Sequence, residues 1–164
     1  MTPDKRRGDG RALSEAGVRM VAPRPGHAEG LAYLSRQFVE EVPWAATIPI
    51  GQMTEAERAS SRLFGHDVVA VRVAETPRGD VVGYAGVYRN PQALDLSVLV
   101  HRDHRRGGLG RHLVERVCQL LPDGTDVEAW VAAFNEASLR AMPAMGFVLD
   151  RTIKDQGRTV RVYI

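Results

Sequence analysis

The chain has 164 residues, 44% hydrophobic and 26% charged, the make-up of one globular domain with its own core rather than of a disordered chain. A single cysteine, Cys118, excludes an internal disulfide, and no residue set has the spacing of a zinc site. No apolar run approaches the roughly 18 residues of a membrane span, and no signal-peptide stretch opens the chain. The expectation is therefore a reduced, cytoplasmic, bacterial-type protein with no membrane partner.

The net charge is +2, and residues 1–11 account for it, with Lys5, Arg6, Arg7 and Arg11 against Asp4 and Asp9. Residues 1–15 read as a disordered basic leader, and residues 16–164 as one domain. The remaining charge is balanced, without the basic face interleaved with aromatics that a nucleic-acid partner requires.

Val18 to Ala22 is a short strand that Pro23 and Pro25 end. Ala28, Leu31, Ala32, Leu34 and Phe38 recur at helical spacing up to Glu41, and Pro43 stops that helix. Trp44 to Met53 is irregular. Thr54-Glu55-Ala56-Glu57 has capping-box spacing and opens a second helix to about Phe64. Val68 to Val73 and Val81 to Tyr88 form a hairpin around Pro77-Arg78-Gly79-Asp80, and Leu94 to Val100 follows the Asn90-Pro91 turn. A glycine-rich loop, His101 to Gly110, leads into a helix carrying Leu113, Val114, Val117, Cys118 and Leu121. Asp126 to Ala133 is a fifth strand, Glu136 to Met145 a fourth helix closed by Gly146, and Phe147 to Lys154 and Thr159 to Ile164 are the last strands.

Chemistry concentrates in two segments. In Val98-Leu99-Val100-His101-Arg102-Asp103-His104-Arg105-Arg106-Gly107-Gly108-Leu109-Gly110-Arg111, a strand, a glycine turn and a helix start follow one another. Glycines at 107, 108 and 110 let amides converge on an anion, and the helix adds the positive end of its dipole. Arg105, Arg106 and Arg111 can add charge-assisted bonds, so a pyrophosphate is the natural ligand. A Walker A loop needs Gly-Lys-Ser/Thr, and a dinucleotide fingerprint needs G-x-G-x-x-G directly after a strand; neither fits.

The spacing R-x-x-G-x-G at Arg105, Gly108 and Gly110 does fit, and it resembles the GNAT superfamily of acyl-CoA-dependent N-acetyltransferases. The second segment strengthens the likeness: Asn135-Glu136-Ala137-Ser138 opens the fourth helix and Met145-Gly146-Phe147 follows it, as in that family. The resemblance covers residues 18–164. It implies an α/β fold with a mixed, mostly antiparallel seven-stranded sheet, about four helices on both faces, and a splay between strands four and five. It also implies acetyl-CoA as cofactor, bound by Val98, Leu99, Val100, Arg105, Arg106, Gly107, Gly108, Leu109, Gly110, Arg111, Asn135 and Ser138. By the same resemblance the amide of Leu99 or Val100 faces the developing oxyanion.

The acceptor is expected to be a primary amine on a small molecule, attacking directly in a ternary complex. An amine is protonated at neutral pH and needs a base. Asp95 is the first candidate, since its position resembles that of a glutamate base in phosphinothricin-type members. The alternative is a salt-bridge partner. Glu41, with Glu40, is the weaker candidate, and Trp44, Tyr84 and Tyr88 are candidate acceptor-pocket residues. His101 and His104 read as solvated loop residues, Cys118 as packing, and Trp130 as core or tunnel wall rather than a stacking platform.

One position departs from the family. Many members carry an acid tyrosine seven residues after the asparagine, and here that residue is Met142, which donates nothing; Ser138, Tyr84, Tyr88 or water could substitute. Two other readings stay open: a protein or peptide N-acetyltransferase, and a catalytically silent acyl-CoA-binding sensor. A homodimer is compatible with the family.

Overall fold

The computed structural model describes residues 17–41, 54–155 and 157–164. The leader and the whole irregular 44–53 segment, Trp44 included, lie outside the described residues. The elements run β1 (Arg19–Val21), α1 (His27–Glu41), α2 (Glu55–Phe64), β2 (Val68–Glu75), β3 (Val81–Arg89), β4 (Leu94–Val100), α3 (Leu109–Cys118), β5 (Ala129–Ala132), α4 (Glu136–Ala144), β6 (Leu149–Asp155) and β7 (Arg158–Tyr163). A single 3-10 turn, Arg102–His104, interrupts the loop before α3.

The four helices and the antiparallel pairing stand as expected, but the seven strands do not form one sheet. The seven strands fall into two antiparallel sheets, one ordered β1-β2-β3-β4 and one ordered β5-β7-β6. A lone parallel bridge between Asp95 and Glu128 links them. There the Leu96 N–H donates to the Glu128 carbonyl at 2.8 Å, and the Glu128 N–H donates to the Leu94 carbonyl at 2.7 Å. Among the described residues no other backbone hydrogen bond joins β4 to β5. β5 is shorter than its sequence suggests because Asp126 to Glu128 reach β4 only through this bridge.

Two clusters of buried side chains hold the layers, one on each face of the first sheet. Leu31 and Leu34 of α1 and Leu63 of α2 pack against Val71, Val73, Val81 and Tyr84. On the opposite face Leu109, Leu113, Val114 and Val117 of α3 meet Ala85, Val87, Leu96, Val131, Met142 and Phe147. Each Leu or Val so enclosed contributes roughly 1.5–3 kcal/mol relative to exposure. Alternation along the strands makes this possible: Tyr84, Tyr88, Asp95, Ser97 and Leu99 share the α1/α2 face, and Ala85, Val87, Leu96 and Val98 share the α3 face.

Local chemistry sets the ends of the elements. Thr54 Oγ1 accepts from the Glu57 N–H at 3.2 Å and Glu57 Oε2 accepts from the Thr54 N–H at 2.6 Å, completing the capping box. Gly83 on β3 lets α3 lie close, because a Cβ there would stand 2.9 Å from Leu113 Cδ1 and 3.2 Å from the Leu99 carbonyl. At the start of α1, His27 Nδ1 accepts the Arg24 N–H at 2.9 Å, so the proton of the neutral ring sits on Nε2 and points to Glu75 Oε2 at 2.8 Å. Glu75 is fully buried and also takes hydrogen bonds from Arg19 and Arg24. Those from Arg24 and His27 foremost, with that from Arg19, outweigh burial and hold its carboxyl down at about 2.

Candidate active site

The glycine loop forms a concave run of backbone. Arg106 has φ +69° and Gly108 φ +82°, both left-handed, and α3 begins at the next residue. Left-handed residues alternating with right-handed ones turn successive N–H groups inward, and the first amides of α3 have no helical partners. A Cβ at Gly107 would meet nothing within 4 Å, and one at Gly108 only His112 Nδ1 at 3.8 Å. Both glycines are therefore uncrowded, and the arrangement suits a diphosphate.

The three arginines divide. Arg105 turns back: its Nε donates to the Val100 carbonyl at 3.0 Å, and its Nη1 and Nη2 reach Glu41 at 2.6 and 3.4 Å. Arg111 pairs with Glu115 one helical turn on, at 2.9 Å. Arg106 has no side-chain partner among the described residues and is exposed, so it is the one arginine of the three left to meet an anion. Glu41, the weaker base candidate, has both oxygens on Arg105 and ties the end of α1 to the loop.

Register decides which amides of β4 face the partner sheet. The His101 N–H donates to the Val82 carbonyl, so in the antiparallel ladder Leu99, Ser97 and Asp95 direct their backbone groups to β3. Leu96, Val98 and Val100 point theirs the other way, toward β5. Of the two amides proposed for an oxyanion, the Leu99 N–H is therefore committed to β3 and the Val100 N–H is not.

Asp95 stands at the bridge between the sheets, its side chain partly buried. Its Oδ2 accepts from Asn90 Nδ2 at 2.5 Å, and its Oδ1 is buried with no hydrogen-bond partner. Burial pushes its pKa up; the Asn90 hydrogen bond opposes this, and the charge of Glu128 acts with burial. Among the described residues the partner of this carboxylate is an amide and not a cation. Asn90 is itself fixed, since its Oδ1 accepts from the Gln92 and Ala93 N–H groups at 2.8 and 2.7 Å.

Tyr84 and Tyr88 are not open pocket walls. Tyr84 has no exposed surface, and its hydroxyl donates to Ser97 Oγ at 2.7 Å and accepts from Arg62 Nη1 at 2.7 Å. The Tyr88 hydroxyl donates to the Arg62 carbonyl at 2.8 Å, and burial, the foremost cause, pushes its pKa up, so it is a poor proton donor. Trp44 lies outside the described residues. Asn135 caps α4, with Oδ1 accepting from the Ser138 N–H at 3.2 Å, which leaves its Nδ2 as a donor for a ligand. Met142 is buried among α3 and β5 side chains, and α4 continues past it through Pro143 to Ala144. Cys118 packs against the same core, and burial raises its thiol pKa.

Sequence reasoning passed over Glu128 and Arg151 and read Trp130 as core or tunnel wall. Trp130 is 45% exposed, not core. Its Nε1 donates to Glu128 Oε2 at 2.8 Å, and Arg151 Nη2 holds Glu128 Oε1 at 2.9 Å. The available signal was the i, i+2 spacing of Glu128 and Trp130 beside buried Val127, Ala129 and Val131, which puts both on one face.

Two antiparallel sheets joined at one bridge, with left-handed Arg106 and Gly108 just ahead of α3, make an α/β protein whose shape suits an elongated, phosphate-bearing ligand. The profile of the acetyltransferase (GNAT) family matches residues 35–147, and the chain belongs to that family. It is thus an N-acetyltransferase by class, with acetyl-CoA as its cofactor. Comparison with curated protein sequences gives no match.

Solved structures share the fold. A GCN5-related N-acetyltransferase from Kribbella flavida superposes with a TM-score of 0.70 at 16% identity, covering 92% of this chain and 97% of its own. A ribosomal-protein-alanine N-acetyltransferase from Brucella melitensis gives 0.69 at 22%, covering 88% and 97%. The candidate acetyltransferase yncA of Salmonella typhimurium, solved with its cofactor acetyl-CoA, gives 0.67 at 22%, covering 90% and 92%.

Proposed function

We propose that the chain moves an acetyl group from acetyl-CoA to a primary amine of a small molecule by direct attack in a ternary complex, with Asp95 as the base. The observation that carries this reading is the buried, unpartnered Oδ1 of Asp95 at the bridge between the sheets. A carboxylate oxygen without a donor is a costly thing to bury, and the cost falls when an ammonium supplies the missing hydrogen.

In this reading β4 and β5 splay beyond the bridge, and the backbone of Val98 with the Val100 N–H would hold the cofactor's arm, the Val100 carbonyl being taken by Arg105. The amides from Arg106 to Gly110 hold the pyrophosphate, and Asn135 Nδ2 reaches the cofactor from α4. When bound, acetyl-CoA supplies the acetyl thioester; the residues supply position and proton transfer. Asp95 takes the ammonium proton at Oδ1 while Asn90 fixes Oδ2, and the raised pKa of Asp95 brings it closer to that of the amine. The Val98 N–H, directed away from β3 and three residues along β4 from Asp95, is the donor for negative charge on the acyl oxygen, since Val100 lies five residues, about 16 Å, from the base. Among the described residues the Tyr84 and Tyr88 hydroxyls are committed inside the core, so in this reading the thiol leaves as the thiolate, which a thiol pKa of about 8.5 permits, and the second proton of the amine passes to the thiolate through water.

The test is a melting-temperature shift with acetyl-CoA beside a free-thiol release assay on a panel of primary amines and peptides. A shift with thiol release on small amines is the expected result. Release on peptides alone moves the acceptor to the protein class, a shift without release on any acceptor marks a binding module, and no shift removes the cofactor assignment.

A further inference from the structure

Resting on the acetyl-transfer reading, we infer that the space between the β3–β4 turn and β5 is the acceptor site and that it selects a cationic amine whose body lies on the indole of Trp130. The cavity measures about 290 Å³ and is lined by Asn90, Pro91, Gln92, Glu128 and Trp130. That lies near the lower end of small-molecule sites.

Three features support the assignment. The first is rigidity where none is needed for folding. Trp130 leaves nearly half its surface in solvent, yet its Nε1 is tied to Glu128, Glu128 to Arg151, and Arg151 Nη1 to Asp150 Oδ2 at 2.6 Å. An exposed aromatic ring held through three successive hydrogen bonds presents a fixed face, which is what a stacking wall requires.

The second is charge. The only ionisable group in the lining is the Glu128 carboxylate, and its side chain is only 15% exposed. Arg151, outside the wall, is shared between Glu128 and Asp150, so the two carboxylates and one guanidinium keep one net negative charge. An ammonium is attracted to both the indole face and the carboxylate, whereas an acceptor with a carboxylate next to its amine meets repulsion.

The third is connection to the base. Asn90 in the lining donates to Asp95, and Glu128 in the lining pairs through its backbone with the residues on either side of Asp95. An amine entering here arrives beside Asn90, whose Nδ2 holds the Asp95 carboxylate. Trp130 shares its sheet face with Glu128, opposite the core-facing Ala129 and Val131, so the acceptor and the α3–α4 side of the seam lie on different faces. Glu128 and Arg151 act as positioning residues and Trp130 as the contact.

The experiment compares 2-phenylethylamine, 1,4-diaminobutane and phenylalanine as acceptors, in the parent chain and in Trp130→Ala and Trp130→Phe. In parallel, the emission of Trp130 is titrated with each amine in a Trp44→Phe background. Expected are transfer to the two cationic amines, at least about tenfold poorer use of phenylalanine, and quenching of Trp130 by the cationic pair. Trp130→Ala should raise the amine KM about tenfold with the acetyl-CoA KM unchanged, and Trp130→Phe should restore most of it. Equal use of phenylalanine overturns the charge selection. An unchanged amine KM in Trp130→Ala, or neither transfer nor quenching with both cationic amines, overturns the site. The acetyl-CoA melting shift separates this outcome from failure of the acetyl-transfer reading, since it persists if only the acceptor assignment is wrong.

Discussion

Replacing Gly108 by alanine isolates the loop's two demands, conformation and open access. Gly108 sits at φ +82° and ψ 6°, immediately ahead of α3. A Cβ there touches only His112 Nδ1, at 3.8 Å, so sterics with neighbours add nothing. The cost is the left-handed backbone, about 1–2 kcal/mol for an L-residue, offset by about 0.4–1 kcal/mol from the less flexible unfolded chain. The net is about 1 kcal/mol, or about 2–4 °C in Tm for a chain of this size. Gly107→Ala is the control. Gly107 is outside the left-handed region and a Cβ there meets open space, so its ligand-free Tm should not move.

Both methyl groups project where an anion must approach, and both should shrink the acetyl-CoA shift. At a hundredfold excess over Kd that shift reflects about 2.7 kcal/mol in the parent. Scanning fluorimetry with and without acetyl-CoA reads all four numbers. A ligand-free Tm unchanged in Gly108→Ala refutes the strain argument. A full acetyl-CoA shift in both variants refutes the loop as the phosphate cradle.

Other consequences can be measured directly. Asp95→Asn should lower kcat by about a hundredfold or more with little change in the acetyl-CoA KM; a parent-like rate would return Asp95 to a structural role. Because burial raises the Asp95 pKa, the active, ionised form is lost as pH falls through a value above 3.8, and the acid limb of kcat/KM should lie above the ordinary aspartate range and vanish in Asp95→Asn. Glu75 behaves oppositely: its carboxyl is held at about 2 against 4.5, so its stabilisation is present above 4.5 and fades as pH falls toward 2. That difference is worth about 3 kcal/mol at most. With Arg19 and Arg24 67% and 53% exposed, screening leaves about 1–2 kcal/mol. Urea melts should show Glu75→Gln costing more at about pH 7 than at about pH 3; an equal cost at both contradicts the linkage. Gly83→Ala should cost about 1–3 kcal/mol by overpacking against Leu113 and the Leu99 carbonyl. It should also weaken acetyl-CoA binding, since α3 must move off β3; thermal melts and the ligand shift check the two effects.

Most elements were legible because their signals are local. The Thr54/Glu57 box, the helical recurrence of Leu31 and Leu34, and the glycines at 107, 108 and 110 each act within one turn of chain. What failed to show were pairings at long range. Nothing near Arg105 says that its guanidinium will close on Glu41, 64 residues earlier. Tyr84 carries a hydroxyl that suggests a cleft, yet Arg62 and Ser97, from α2 and β4, satisfy it inside the core. The break between the sheets entered only through the family resemblance, because strand propensity at Asp126 to Ala133 does not record where the neighbouring strand ends. The core reading of Trp130 failed for the same reason: its exposure depends on which face of β5 remains uncovered.

The order β5-β7-β6 has a consequence for how the protein comes into being. The central strand of the second sheet is the last one to be synthesised. The first sheet, a meander from β2 to β4 with β1 on its edge, can close on itself early, and the glycine loop and α3 follow directly. β5 and β6 must wait with unpaired edges until Arg158–Tyr163 emerges between them. Asn135 and Trp130, both on or beside β5, therefore reach their places only at that final step. A chain stopped short of β7 would retain the loop but present two bare strand edges, a form prone to association with other chains before it could ever turn over a substrate.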